Sequence, residues 1–317
     1  MKPFPMSAVL ACMMTSCVSA NFGGAQTYAP ADVKTCGANI HVEFHSGKLD
    51  VSREQVLRWV QTAADSVAIY YGHFPVPRET VTIIPAADDR GVLDGRTWGG
   101  SEVRARIELG QHTTVADLDD DWTMTHEFVH TAFPDLNERH HWIEEGLAVY
   151  VEPIARVQHG TLDEARVWAD MVRNLPTGEP APGDRGLDHN HSWASTYWGG
   201  ALFFLNADVT IRDQTHNRFG LQDALRAILA QTNIQSDGTP EQAFAIGDRA
   251  VGVPVLENLY AKMNNQPVSV DLPALWSKLG VRVSASGAVS FDDHAPDAAI
   301  RKAIFAPHKG CEVVAAH

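Results

Sequence analysis

The sequence predicts an α+β fold in which a mixed α/β portion is followed by a helical one. Three observations carry this expectation. Short β-branched or alternating runs at 40–44, 80–84 and 103–109 accompany one strongly periodic helix over 53–71. Beyond about Asp117 the periodic segments repeat at helical spacing. At the junction stands His126-Glu127-Phe128-Val129-His130, an H-E-x-x-H stretch. The boundaries read as a leader over 1–20, a flexible arm over 21–36, an α/β lobe over 37–116, a helical lobe over 117–280 and a C-terminal extension over 281–317.

In chain order, Lys2 precedes a largely apolar run over 6–18, and Val18-Ser19-Ala20 offers the small residues of a cleavage site. This predicts a secreted or periplasmic protein. Met14-Thr15-Ser16-Cys17 loosely matches a bacterial lipobox, so anchoring through Cys17 is the one route to a membrane. Without the leader, Cys36 and Cys311 remain, and a pair in an exported chain predicts a disulfide between them. Closing so long a loop contributes ~4–5 kcal/mol in the entropic account.

The Gly/Ala/Pro-containing stretch over 21–34 lacks periodicity and reads as an arm. Ile40 to Phe44 alternates as a strand. Ser52 and Gln55 have capping-box spacing, and Val56, Leu57, Val60, Ala63, Ala64 and Val67 fall on one helical face. Between the strands at 80–84 and 103–109, the stretch 91–100 carries four glycines and Trp98. It reads as a glycine-rich turn beside an edge strand, either leaving room for another backbone or merely flexible. Helices are expected over 141–157, 161–174, 195–212, 219–231 and 239–251, with a long loop over 175–190. A hairpin turning at Ser286-Gly287 is expected over 281–291.

The composition, 44% hydrophobic and 20% charged, is that of an ordinary globular chain. Its formal charge of −14 excludes the basic patches that nucleic acid or an anionic membrane surface require.

On a helix, residues four apart share a face, so His126 and His130 can direct two imidazole nitrogens at one zinc ion. Glu127 stands one residue round, placed to take a proton rather than to ligate. A catalytic zinc keeps three protein ligands. A third ligand of the metzincin type would need Gly and His where Phe133 and Leu136 stand, which excludes that class. His140 and His141 are downstream candidates, as is the acidic pair Glu144-Glu145.

The stretch Trp142-Ile143-Glu144-Glu145-Gly146-Leu147-Ala148 following the H-E-x-x-H resembles the gluzincin metallopeptidases, in particular the M1 aminopeptidases and related M61-like groups. The resemblance implies a thermolysin-like two-lobed fold with zinc in the cleft, and Glu145 as third ligand. It implies Glu152 as a carboxylate orienting a zinc histidine. Tyr197-Trp198-Gly199-Gly200 matches the Y-x-x-G helix start of these peptidases and implies Tyr197 as an oxyanion donor. Fourteen residues separate His130 from Glu145, fewer than in the aminopeptidases. No G-x-M-E-N stretch occurs, and 95–100 takes its place without the acidic anchor, so exo or endo mode stays open.

The function implied is a zinc-dependent peptidase acting on a peptide or protein, with a Glu general base. Two other classes share these residues: a catalytically silent zinc-binding module, and a zinc hydrolase of a non-peptide substrate. The intact Glu127 favours catalysis, because a purely structural site needs no base.

Overall fold

The structure is a computed structural model describing residues 26–284, 286–307 and 311. The expected leader over 1–20, with Cys17, lies outside them.

Strands β1 (Ala31–Thr35), β2 (Ala38–Phe44), β3 (Arg78–Ala86), β4 (Val92–Trp98) and β5 (Arg104–Gly110) form one sheet in the order β1-β2-β3-β5-β4. The three central strands β2, β3 and β5 run parallel to one another, while β1 and β4 close the two edges antiparallel. Ile40, Val42, Val81, Ile83, Ala105 and Ile107 are buried along the three central strands. This matches the apolar alternation of the sequence.

Helix α1 (Arg53–Tyr71) links β2 to β3, opened by the reciprocal capping box of Ser52 and Gln55. Its stripe of Val56, Val60, Ala63, Ala64 and Val67 is buried. The helix packs against α3 (Thr123–His130) and α4 (His141–His159). A short helix, α2 (Val115–Asp120), capped by Thr114, precedes α3. The remainder is helical: α5 (Glu164–Asn174), α6 (Gly200–Gln214), α7 (Leu221–Leu229), α8 (Pro240–Val251), α9 (Val255–Met263) and α10 (Leu272–Leu279). The expected hairpin follows as β6 (Val281–Val283) and β7 (Val289–Phe291), and α11 (Ala298–Phe305) packs back on α10, α4 and α6.

Three expectations are corrected. The arm over 21–36 contains β1, because Val33 is buried opposite Ile40 and the Cys36-Gly37 turn, with φ 86° at Gly37, folds β1 directly onto β2. The glycine-rich 91–100 stretch is mostly strand β4, held to β5 from Val92 to Trp98. Cys36 and Cys311 are free thiols, so the expected disulfide is absent. They lie in contact, but burial first, and then the hydrogen bond with Cys36, push the Cys311 thiol up to about 12.

Candidate active site

Helix α3 is short, and its first turn is held from outside. The Asp121 carboxylate accepts the backbone N–H groups of Thr123 and Met124 at 3.1 and 3.0 Å. The Trp59 indole N–H donates to the same carboxylate at 3.2 Å. An anion at a helix N-terminus also complements its dipole. Met124, Phe128 and Val129 are fully buried, and Phe128 meets Phe74 edge-to-face. The opposite side of the helix carries His126 and His130, whose ring centroids are 4.8 Å apart.

Helix α4 returns beside α3 and brings Glu145 between the two imidazoles. Its Oε2 is 3.0 Å from His126 Nε2 and its Oε1 is 3.8 Å from His130 Nε2. One donor atom from each of the three residues lies within 4.8 Å of the others, a two-histidine, one-carboxylate group consistent with zinc binding. Burial pushes the Glu145 carboxyl up, but the charge of His130 and the hydrogen bond from His126 outweigh it and bring the group down to about 2. It is therefore an anion over the whole ordinary pH range, as a ligand should be.

Glu144, the neighbouring carboxylate, is spent elsewhere: its Oε1 accepts the Leu136 N–H at 3.1 Å and fastens the 131–140 connection to α4. The two histidines considered as alternative ligands also separate. His140 is buried with Nδ1 2.9 Å from Asp188 Oδ1 and Nε2 accepting from Arg139, so both nitrogens are committed. His141 lies on the cleft rim, its Nε2 3.2 Å from Glu145 Oε1, outside the converging group.

Tyr197 reaches the site through an unusual backbone. Residues Ser195–Gly199 form a π turn leading into α6. Such turns are rare and concentrate at functional sites. Gly146 and Gly200 explain why this turn sits against the metal group. A Cβ on Gly146 would lie 2.3 Å from Gly200 Cα, and one on Gly200 would lie 2.2 Å from Trp142 O. Only two bare Cα atoms let α4 and α6 cross so closely, and that crossing presses Tyr197 towards Glu145. The Tyr197 ring stacks on His126, centroids 6.1 Å apart, and its other neighbour is Trp193 at 5.3 Å. Burial, then the Glu145 charge and hydrogen bond, push its phenol well above the ordinary range, so it stays a donor.

Glu127 sits on the β4 side of α3 and is only 5% exposed. Burial raises its pKa, while the His130 charge and a hydrogen bond from Thr97 act the other way. Thr97 Oγ1 donates to Glu127 Oε2 at 2.7 Å and to its backbone carbonyl at 3.1 Å. Gly95 makes this approach possible: a Cβ there would lie 2.6 Å from Thr123 Cγ2 and 2.8 Å from Glu127 Oε1. Thr97 escaped the sequence reading because a Thr in a glycine-rich run gives no periodic signal. Strand alternation, with Gly95 and Thr97 on one face, is the signal that could have found it.

Glu152 is corrected. It is buried on α4, but its Oε1 accepts from Arg156 Nη1 at 2.9 Å and it makes no hydrogen bond to either zinc-group histidine. Burial, only partly offset by Arg156, pushes its carboxyl up to about 7. His126 Nδ1 is buried without a hydrogen-bond partner among the described residues. The i,i+4 spacing to Arg156 on the same helix decided the outcome, since that pairing needs no tertiary rearrangement.

The metal group, Glu127 and Tyr197 open onto a cleft of about 660 Å³. One wall is the whole of β4, whose outer edge is unpaired among the described strands.

No protein-family model and no curated protein matches this chain. Solved structures do. An aminopeptidase N family protein from Idiomarina loihiensis superposes with a TM-score of 0.57 at 15% identity, over 81% of this chain and 50% of that one. An M1 zinc metallopeptidase variant from Deinococcus radiodurans, bound to a Tyr-Ser-Ala substrate, gives a TM-score of 0.50 at 13% identity over 76% and 53%. The fold resembles that of M1 peptidases, and this chain spans about half the length of the structures it matches.

Proposed function

We propose that this chain is a zinc-dependent peptidase, with the ion held by His126, His130 and Glu145. The observation that carries the reading is the meeting of four parts on one cleft: a three-donor group, a buried carboxylate on the same helix, a protonated phenol, and an open strand edge. Support also comes from the fold shared with zinc metallopeptidases, one of them a peptide complex. In this reading the sheet with α1 is one lobe and the helices after α3 the other, in the thermolysin-like manner. Export directed by the leader over 1–20 belongs to the same reading.

Bound by these three side chains, zinc polarises a carbonyl and lowers the pKa of a water to ~7. The remaining roles belong to the chain. A substrate backbone lies along the free edge of β4, adding a strand to the sheet. Glu127 accepts a proton from the attacking water as the new C–O bond forms. It returns that proton to the amine nitrogen as the C–N bond breaks. The Tyr197 hydroxyl donates to the carbonyl oxygen as that atom gains charge, a contribution of order 10²–10³ in rate for a well-placed donor.

The test is Glu127→Gln, which keeps shape and leaves the three donors untouched. Metal analysis should find about one zinc per chain in both proteins. Digestion of a broad peptide library should fall by ~10² or more in the variant. A variant that retains zinc and cuts peptides at the wild-type rate overturns the reading.

A further inference from the structure

A second chamber, of about 320 Å³, shares Trp122 and Tyr197 with the catalytic cleft. Its walls come from α4 through Val149 and Pro153, from α5 through Val167 and Met171, and from Leu162 between those helices. The mouth is flanked by Trp122 and Trp193, which are 49% and 64% exposed and rank among the most exposed large apolar side chains of the protein. Exposed tryptophans beside a concave apolar surface mark a place where something is bound.

The charges in the chamber indicate what that is not. Asp120 is paired with Arg166, Glu152 with Arg156 at 2.9 Å, and Asp170 with Arg173 at 2.7 Å. Each carboxylate on the wall is thus already matched by a guanidinium, so an entering cation finds no uncompensated anion and an entering anion no uncompensated cation. An uncharged group loses nothing there and gains the burial of its apolar area, ~25 cal/mol per Å². The volume lies at the small end of ligand pockets, the size of one large side chain rather than an extended molecule. The chamber also adjoins the cleft at Tyr197, which lines both and is the side chain proposed to face the reacting carbonyl.

We propose that this chamber is the specificity pocket of the site, receiving a large apolar or aromatic side chain of the substrate from a residue flanking the scissile bond. The inference rests on the peptidase reading. Val149 and Leu162 are partly buried and take no part in the metal group, Glu127 or Tyr197, so Val149→Phe and Leu162→Trp fill the chamber from two walls.

The test has two arms, both on the full chain. In the first, matched peptides carrying Phe or Ala at each position beside the cut are compared by kcat/KM. The wild type should prefer Phe at one position by about tenfold or more. Both filled variants should lose that preference while cutting the Ala peptide within about twofold of wild type. In the second, N-acetylphenylalaninamide is titrated while tryptophan fluorescence is followed. Wild type and Glu127→Gln should bind it saturably, and the filled variants should not. Unchanged Phe:Ala ratios together with unchanged probe binding in both filled variants overturn the proposal. Failure of the underlying peptidase reading is distinguishable, since it appears as no hydrolysis of any peptide by zinc-loaded wild type.

Discussion

Thr97→Val replaces a hydroxyl by a methyl at nearly constant volume, and it acts on the base without touching a metal ligand. The 2.7 Å bond from Thr97 Oγ1 ends on a carboxylate that is 5% exposed, so little screening from bulk solvent weakens it. A hydrogen bond to a charged group contributes ~1.5–3 kcal/mol, equivalent to roughly one to two decades in the fraction of Glu127 that is ionised. The sign follows from which form is bonded. Thr97 stabilises the anion and opposes the upward push of burial, so its loss makes Glu127 harder to ionise. The competent base is the anion. The acid limb of kcat/KM against pH should therefore move to higher pH. On that limb activity should fall by about tenfold or more, with recovery as pH rises. Thr97→Ser, which restores the hydroxyl, should restore the profile. Hydrolysis of a single peptide between pH 5 and 9, with zinc content checked alongside, makes the measurement. Superimposable profiles for Thr97→Val and wild type would refute the role given to this hydroxyl.

Other outcomes follow from the same geometry. Gly200→Ala should destabilise by ~1–3 kcal/mol in urea unfolding, because its Cβ would lie 2.2 Å from Trp142 O and two helix backbones must part. Equilibrium dialysis should show zinc lost from His130→Ala but kept by His140→Ala, whose imidazole is occupied with Asp188 and Arg139. The folded Glu145 carboxyl titrates at about 2, below its unfolded value. Its contribution to stability in metal-free protein is therefore present above the unfolded carboxylate range and is lost as pH falls towards 2. Unfolding midpoints measured from pH 6 to 2 should show a shallower acid decline for Glu145→Gln than for wild type.

Local chemistry made much of this legible in advance. The Ser52–Gln55 box set the start of α1 to the residue, and the H-E-x-x-H spacing put His126 and His130 on one face. Glu145 was reached only through resemblance, because spacing alone could not separate it from Glu144, His140 or His141. What separates them is tertiary: Leu136 occupies Glu144 and Asp188 occupies His140. Strand β4 was hidden among glycines, which lower strand propensity; the one inside it, Gly95, is needed because α3 approaches so closely. β1 was hidden for another reason, a five-residue edge with a single buried valine. The partner of Glu152 was misassigned because the resemblance pointed across to a histidine, while Arg156 stood one helical turn away.

The open edge of β4 also bears on how this protein avoids its own kind. A strand with an unsatisfied row of N–H and C=O groups is a template for any extended chain, including a second copy of itself. β4 carries Leu93 and Trp98 well exposed, which would favour such stacking. Against that, Asp94 and Arg96 set opposite charges along the strand, and the register slips between Val92 and Asp94, bending the edge out of the flat geometry that fibrils propagate. Gly95 and Thr97 point inward at α3 rather than offering a second sticky face. An edge left open to visiting peptides is thus guarded against self-templating, and neutralising both Asp94 and Arg96 would convert a receptive groove into a site of aggregation.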